Sequence, residues 1–412
     1  MKMRYHRKVF FVCMCATICS IYIRILVLFT SVGTRNDANG DHRTDILDLS
    51  DTIQQAYLAN QSGSTSIAST VNDSRDPYRF ERYEPDTGSH VPVPIVITTY
   101  MRSGSSFLGE ILQANPDTFY WFEPVHEMWG LHKANINHQY DFKDGTKRIF
   151  PSFLDIAVPT IKNLSTCDLD NVPMNVLREQ FLEKSKQMRE FVQCRGYKKK
   201  GHASNTRLIQ CLPNLKTKCA NSKYIVVKTI RINMKSLEIM LENIPTLKVI
   251  HLMRDPRGTS RSQQAVGQLS KQNYRQEIAD FCKLVYEDVL QKELLEKKYP
   301  DRIRTVFYED VARNPITYAK SLYAYLGMQF TANIEKTIHG FTLAGRSGSK
   351  TCGILCTQMA NSTEEASNWR NQISMTLVKI VDTACFDLYN KIGYKSIPNV
   401  TLLRDRSFEL RY

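Results

Sequence analysis

The chain has 412 residues, 42% of them hydrophobic and 23% charged, which excludes a wholly disordered polymer and is too long for one small module. Its formal net charge of +14 directs the search for partners toward anions: a nucleotide, an acidic glycan or a membrane surface. Five of the basic residues, Lys2, Arg4, Arg7, Lys8 and Arg24, fall in the first 32 positions, where no acid offsets them. The milder bias of the remainder fits several phosphate- or sulfate-binding arginines. It does not require a nucleic-acid surface, and no nucleic-acid partner is expected.

In chain order, residues 1–8 form a basic tail and residues 9–32 an apolar run. Val9 to Val32 is 24 residues long and carries one charge, Arg24. A helix of that length spans the roughly 30 Å hydrocarbon core of a bilayer. The flank Lys2-Met3-Arg4-Tyr5-His6-Arg7-Lys8 would stay cytoplasmic, giving a single-pass type II anchor with the rest of the chain in a lumen or outside the cell. A cleaved signal peptide is the competing reading. The run is long for that, and Thr30-Ser31-Val32 is a poor cleavage site. Residues 33–90 are polar and linker-like, as in Gln61-Ser62-Gly63-Ser64-Thr65-Ser66, and read as a stem.

Sequons begin at Asn60, Asn72, Asn163, Asn361 and Asn399, in keeping with a secretory route. Beyond the apolar run stand Cys167, Cys194, Cys211, Cys219, Cys282, Cys352, Cys356 and Cys385, an even set that suits disulfides in an oxidising lumen. Zinc is the weaker alternative, because Cys352 and Cys356 have no second close pair.

From residue 91 to 412 the texture is that of one folded domain. Val93–Thr99 is a β-branched run suited to a buried strand, and Phe107–Leu112 reads as helix. Further strands are expected at Tyr224–Lys228, Leu247–Met253 and Ile303–Tyr308, with helices at Tyr274–Lys298 and Pro315–Leu326. Strands alternating with helices predict an α/β fold, a parallel sheet with helices on both faces. Lys143–Lys223 is less regular and reads as an insertion tied down by disulfides.

Two turns have the chemistry of anion sites. The first is Met101-Arg102-Ser103-Gly104-Ser105-Ser106-Phe107, between the first strand and its helix. Turn amides and a helix N-terminus favour negative charge there, Gly104 allows a crowded backbone path, and Arg102 adds a full charge. The Walker pattern is absent and the turn contains no Lys. The second is Arg254-Asp255-Pro256-Arg257-Gly258-Thr259-Ser260-Arg261-Ser262. Arg254 ends a strand, where open α/β sheets bind ligands, while Asp255 and Pro256 open a helix that carries Ser262 about 10 Å along. Alone, a motif like the first often marks a plain turn, and the second is as well explained by an Arg–Asp surface pair plus a cap. Together they suit a nucleotide with two separated anionic ends.

Thr98–Glu110 with Phe122-Glu123-Pro124 resembles the 5′-phosphosulfate-binding segment of Golgi carbohydrate sulfotransferases, in the branch that sulfates the 6-hydroxyl of galactose, N-acetylgalactosamine or N-acetylglucosamine. Leu247–Ser262 is similar to that family's 3′-phosphate-binding segment. Tyr308-Glu309-Asp310, Asn361 to Arg370, Cys385 and Gly393-Tyr394 match further. The resemblance implies a P-loop-like parallel sheet flanked by helices, placed in the Golgi lumen. It implies 3′-phosphoadenosine 5′-phosphosulfate (PAPS) as donor and a glycoprotein or proteoglycan glycan as acceptor. It leaves a homodimer open.

Met101–Phe107 would hold the donor's 5′ end, with Arg102, Ser105 and Ser106 nearest the phosphosulfate. Arg254–Ser262 would hold its 3′-phosphate. No metal is demanded, because a sulfuryl group has less charge to neutralise than a phosphoryl group. A sugar hydroxyl needs a base, for which Glu123 is the first candidate and His126 the second. Lys228 would stabilise the leaving group or simply cap a strand end. The competing functions are a catalytically silent, membrane-tethered binder of anionic glycans, and a luminal kinase with a variant phosphate loop.

Overall fold

The computed structural model describes residues 91–134, 138–196, 203–343 and 361–412. The expected anchor and stem, the basic run Tyr197-Lys198-Lys199-Lys200, and Cys352 and Cys356 lie outside the described residues. Among the described residues, no helix is long and apolar enough to cross a membrane.

The strands, in chain order, are β1 (Val93–Thr99), β2 (Thr118–Phe122), β3 (Gln139–Asp141), β4 (Lys147–Ile149), β5 (Tyr224–Thr229), β6 (Lys248–Met253) and β7 (Ile303–Phe307). β3 and β4 form a separate antiparallel hairpin. The other five make one sheet in the order β2-β5-β1-β6-β7, every pairing parallel. β1 lies at its centre, with Val96 level with Val227 on one side and Val249 on the other.

Apolar side chains on both faces of β1 need cover on both faces. Ile95 and Ile97 pack into a core with the helices Ser105–Leu112, Pro315–Leu326 and Ala332–Thr342. Val96 joins the opposite core, beneath Phe153–Ser165, Asn205–Ala220 and Met234–Asn243. A third core gathers the long helix Tyr274–Lys298 and the C-terminal helices around the Cys282–Cys385 disulfide.

The expected strands are present to within a residue, and Tyr308 opens a helix (Tyr308–Arg313) instead of ending a strand. Two features differ from the sequence reading. β2 is an additional strand, Thr-Phe-Tyr-Trp-Phe, buried throughout and too short and uniformly aromatic to show alternation. The insertion is substantially helical. Its longer helices contain Pro159 and Pro213, residues that normally break a helix and that hide these two in the sequence. As expected, disulfides tie it down: Cys167–Cys219 and Cys194–Cys211.

Candidate active site

Parallel strands all end at the same edge of their sheet, so the loops that leave those ends share one side of the molecule. All five send residues into one cleft of ≈ 610 Å³: Met101 to Phe107 after β1, Phe122 and Glu123 from β2, Lys228 and Arg231 from β5, Arg254 after β6 and Tyr308 after β7.

The loop after β1 begins from a buried anchor. The Tyr100 hydroxyl donates to Asp288 Oδ2 at 2.9 Å and lies 2.8 Å from His251 Nε2. Arg102 (φ 69°) and Gly104 (φ 85°) then reverse the chain in the left-handed region. Gly104 is required on two grounds, since besides its φ a Cβ there would stand 2.1 Å from the Tyr308 ring. The helix Ser105–Leu112 opens on Gly104 with no side chain capping it, whereas Asp255 caps the helix Pro256–Ala265. The partial positive charge of that open end therefore faces the cleft beside Ser105 and Ser106.

The loop after β6 locks onto this turn directly. Arg254 Nη1 donates to the Arg102 carbonyl at 3.0 Å, Arg102 Nε donates to Ser262 Oγ at 3.0 Å, and Gln263 Nε2 donates to the Met101 carbonyl at 3.1 Å. The Arg254 guanidinium lies 4.7 Å from the Tyr308 ring, and its Nε is buried without a hydrogen-bond partner. Burial, and then the proximity of Arg254, lower the Arg102 pKa from its ordinary value. An oxyanion between two adjacent guanidinium groups removes that cost.

At the other end of the cleft, Glu123 turns sharply out of β2 with φ 48°. Its N–H donates to the Lys228 carbonyl at 2.9 Å, and its Oε1 is ion-paired with the Lys228 ammonium. Its Oε2 is buried and has no hydrogen-bond partner. Burial lowers the Lys228 pKa, against the opposing pull of Glu123. His126 opens the next helix half-exposed, with its ring 4.6 Å from that of Phe181 and its Nδ1 3.5 Å from Glu179 Oε2.

The arrangement joins an anion cradle to a carboxylate with one free oxygen, a geometry for group transfer from a charged donor. A family model described as the sulfotransferase family matches residues 94–332, more than half of the chain. The chain belongs to the sulfotransferase family. It is 25% identical over 359 residues to carbohydrate sulfotransferase 5 of Mus musculus, covering 77% of this chain and 85% of that protein. It is 27% identical over 348 residues to carbohydrate sulfotransferase 3 of Homo sapiens, covering 77% and 70%. The sulfotransferase domain of the Synechococcus PCC 7002 olefin synthase aligns with 74% of this chain and 98% of its own at a TM-score of 0.39 and 14% identity.

In this sulfotransferase the cleft brings together Met101, Arg102, Gly104, Ser105, Ser106, Phe107, Glu123, His126, Lys228, Arg254, Gly258, Arg261 and Ser262. Other residues expected at the donor site turn away from it. Ser103 is buried and does not line the cleft. Asp255 and Pro256 are spent on opening their helix, and Thr259 and Ser260 lie on its buried face.

Arg257 is also structural and wholly buried. It forks onto both Asp255 oxygens at 2.9 Å, donates to the Lys395 carbonyl at 2.8 Å and lies 3.3 Å from Asp382. Gly258 serves by its smallness, because a Cβ there would stand 2.9 Å from Trp369, which reaches the cleft past it. Arg370 does not reach it; its guanidinium donates to the carbonyls of Leu402, Leu403 and Phe408. His251 is a core residue.

Phe181, Ile230 and Arg231 also line the cleft, and none carried a sequence motif. Arg231 alone had a usable signal: it follows Lys228 by three residues, just past the carboxyl end of a parallel strand.

Proposed function

We propose that this sulfotransferase transfers the sulfuryl group of PAPS to the 6-hydroxyl of a galactose, N-acetylgalactosamine or N-acetylglucosamine residue in a glycan. The observation that carries this reading is the convergence of two anion-binding turns on one cleft, joined by the Arg254–Arg102 and Arg102–Ser262 hydrogen bonds. The open N-terminus of the helix Ser105–Leu112 and the partnerless Arg254 Nε suit a doubly anionic nucleotide. In this reading Arg102, Ser105, Ser106 and the first-turn amides hold the phosphosulfate, and Arg254 with Ser262 holds the 3′-phosphate.

Glu123 Oε2 accepts the hydroxyl proton as the sugar oxygen bonds to sulfur. The bond between sulfur and the 5′-phosphate oxygen breaks, leaving a sulfate ester and 3′-phosphoadenosine 5′-phosphate (PAP). Lys228 orients the Glu123 carboxylate through their ion pair and stands ready for the charge that develops on the leaving phosphate. His126 is the second candidate base. The glycan relatives, the three disulfides and the apolar run at 9–32 together support a type II protein of the Golgi membrane with residues 91–412 in the lumen.

Incubation of the full-length protein with sulfur-labelled PAPS and a glycan panel tests the proposal. Label in the 6-position of an acceptor sugar is the expected result. PAPS binding without transfer to any acceptor would establish the silent binder, and preference for ATP would establish a kinase.

A further inference from the structure

The cleft contains more cationic character than the two donor turns supply. The excess lies on the side bounded by β2 and β5, away from the β1 and β6 loops that carry Arg102 and Arg254. Arg231, which follows β5, lines the cleft with its Nε buried and partnerless. Its guanidinium carbon lies 5.6 Å from the centre of the Trp129 ring, and the Lys133 ammonium lies 4.9 Å from the same ring. Among the described residues, neither cation forms an ion pair.

The carboxylates that act on Arg231, those of Glu123 and Glu179, are already engaged. Glu123 is bound to Lys228, while Glu179 accepts from the amides of Glu127 at 2.6 Å and Phe181 at 3.1 Å. Burial lowers the pKa of both cations, and for Lys133 the nearness of Arg231 adds to it. Two cations beside one indole without a counter-ion is a costly arrangement that a bound anion would relieve.

The positions have a linear order. His126, Trp129 and Lys133 recur at helical spacing on the helix His126–Ala134, so they form a row about 10 Å long running outward from the cleft wall. That length is on the scale of a disaccharide. A half-buried indole flanked by cations offers an apolar platform for a pyranose face and charge for an oxyanion beside it.

We propose that Arg231, Lys133 and Trp129 form an acceptor subsite for an oxyanion, a carboxylate or a sulfate ester, on the sugar next to the one whose hydroxyl reaches Glu123. This inference rests on the reading of the cleft as a PAPS-dependent glycan sulfotransferase. It adds that the acceptor is an acidic glycan, recognised one residue away from the reacting sugar.

The test compares four acceptors with the full-length protein: a uronate-bearing glycan, its carboxyl-reduced form, a sulfated glycan and its desulfated form. In the wild type kcat/KM is higher for at least one charged member than for its neutral counterpart, and the pair that differs identifies the oxyanion. Arg231→Gln lowers that charged-to-neutral ratio about tenfold, the loss of one charge-assisted contact, and Arg231→Lys restores part of it. Lys133→Ala, on an exposed side chain, lowers the ratio by less. Retained PAP binding shows that each variant is folded.

Equal kcat/KM for charged and neutral acceptors in the wild type would overturn the subsite, as would an equal loss on both in Arg231→Gln. Calorimetric binding of the same glycans to the PAP-loaded protein separates this inference from the one beneath it. Charge-selective binding that Arg231→Gln abolishes, without turnover of any acceptor, supports the subsite and overturns only the transfer reading. Charge-blind binding overturns the subsite.

Discussion

Glu123 and Arg102 are non-glycine residues held at positive φ, and both lie in loops that line the cleft. Such conformations cost about 1–3 kcal/mol each and persist where surrounding contacts impose them. Here the Lys228 carbonyl and ammonium hold Glu123, and Arg254 and Ser262 hold Arg102. Glu123→Gln keeps the shape and removes the proposed proton acceptor. It is expected to lower kcat by about 10²-fold or more while leaving PAP affinity unchanged, measured by initial rates and calorimetry. Beneath the Arg102 turn, Tyr100 joins two buried groups with opposed pH dependence. Burial raises the Asp288 pKa to about 6 and lowers that of His251 to about 3. Folded Asp288 holds its proton more tightly than the unfolded chain does, so its contribution to stability falls as pH rises from near 4 through about 6. Folded His251 resists the proton that the unfolded chain accepts, so its contribution falls as pH drops below about 6.5. Over pH 4–6 the two nearly cancel. Asp288→Asn leaves His251 alone, and relative to the wild type it should lose about 1.4 kcal/mol per unit as pH falls from 6 to 4, read from urea midpoints.

At the scale of elements, the helix Pro256–Ala265 divides its labour by face. One face offers Gly258, Arg261 and Ser262 to the cleft, and the other buries Thr259 and Ser260. Its first turn buries Arg257, which connects it through Asp382 and the Lys395 carbonyl to the C-terminal segment. The loop after β6 is therefore braced by the C-terminal segment. The insertion depends on a different device, because its two longer helices each lose a backbone hydrogen bond to an internal proline. The Cys167–Cys219 disulfide, closing 52 residues, joins the turn after Phe153–Ser165 to Asn205–Ala220. Replacing both cysteines with alanine is expected to cost about 2–5 kcal/mol of stability, measured by chemical denaturation of the oxidised protein.

At the scale of the whole molecule, Arg102 and Arg254 are 152 residues apart in sequence yet share a hydrogen bond. Arg102→Ala and Arg254→Ala should each weaken PAP binding. Because the two side chains form one cradle, the double variant should deviate from additivity by about 0.5–3 kcal/mol in a calorimetric cycle, whereas additive losses would mean two independent sites. The β-branched run of β1, the turns Arg102–Ser106 and Arg254–Ser262, the Asp255 cap and the candidate carboxylate Glu123 were all legible in the sequence. Each is a local matter, settled within a few residues by side-chain periodicity, turn chemistry and capping. β2, the proline-bearing helices, the pairing of Cys167 with Cys219 and of Cys194 with Cys211, and the arrival of Arg231 and Phe181 at the cleft were not. Nor did the sequence separate Arg254, Arg261 and Ser262, which face the cleft, from Arg257, Thr259 and Ser260, which do not. Those outcomes depend on which distant surface covers each face once the sheet has assembled, and local periodicity carries no information about the identity of that cover.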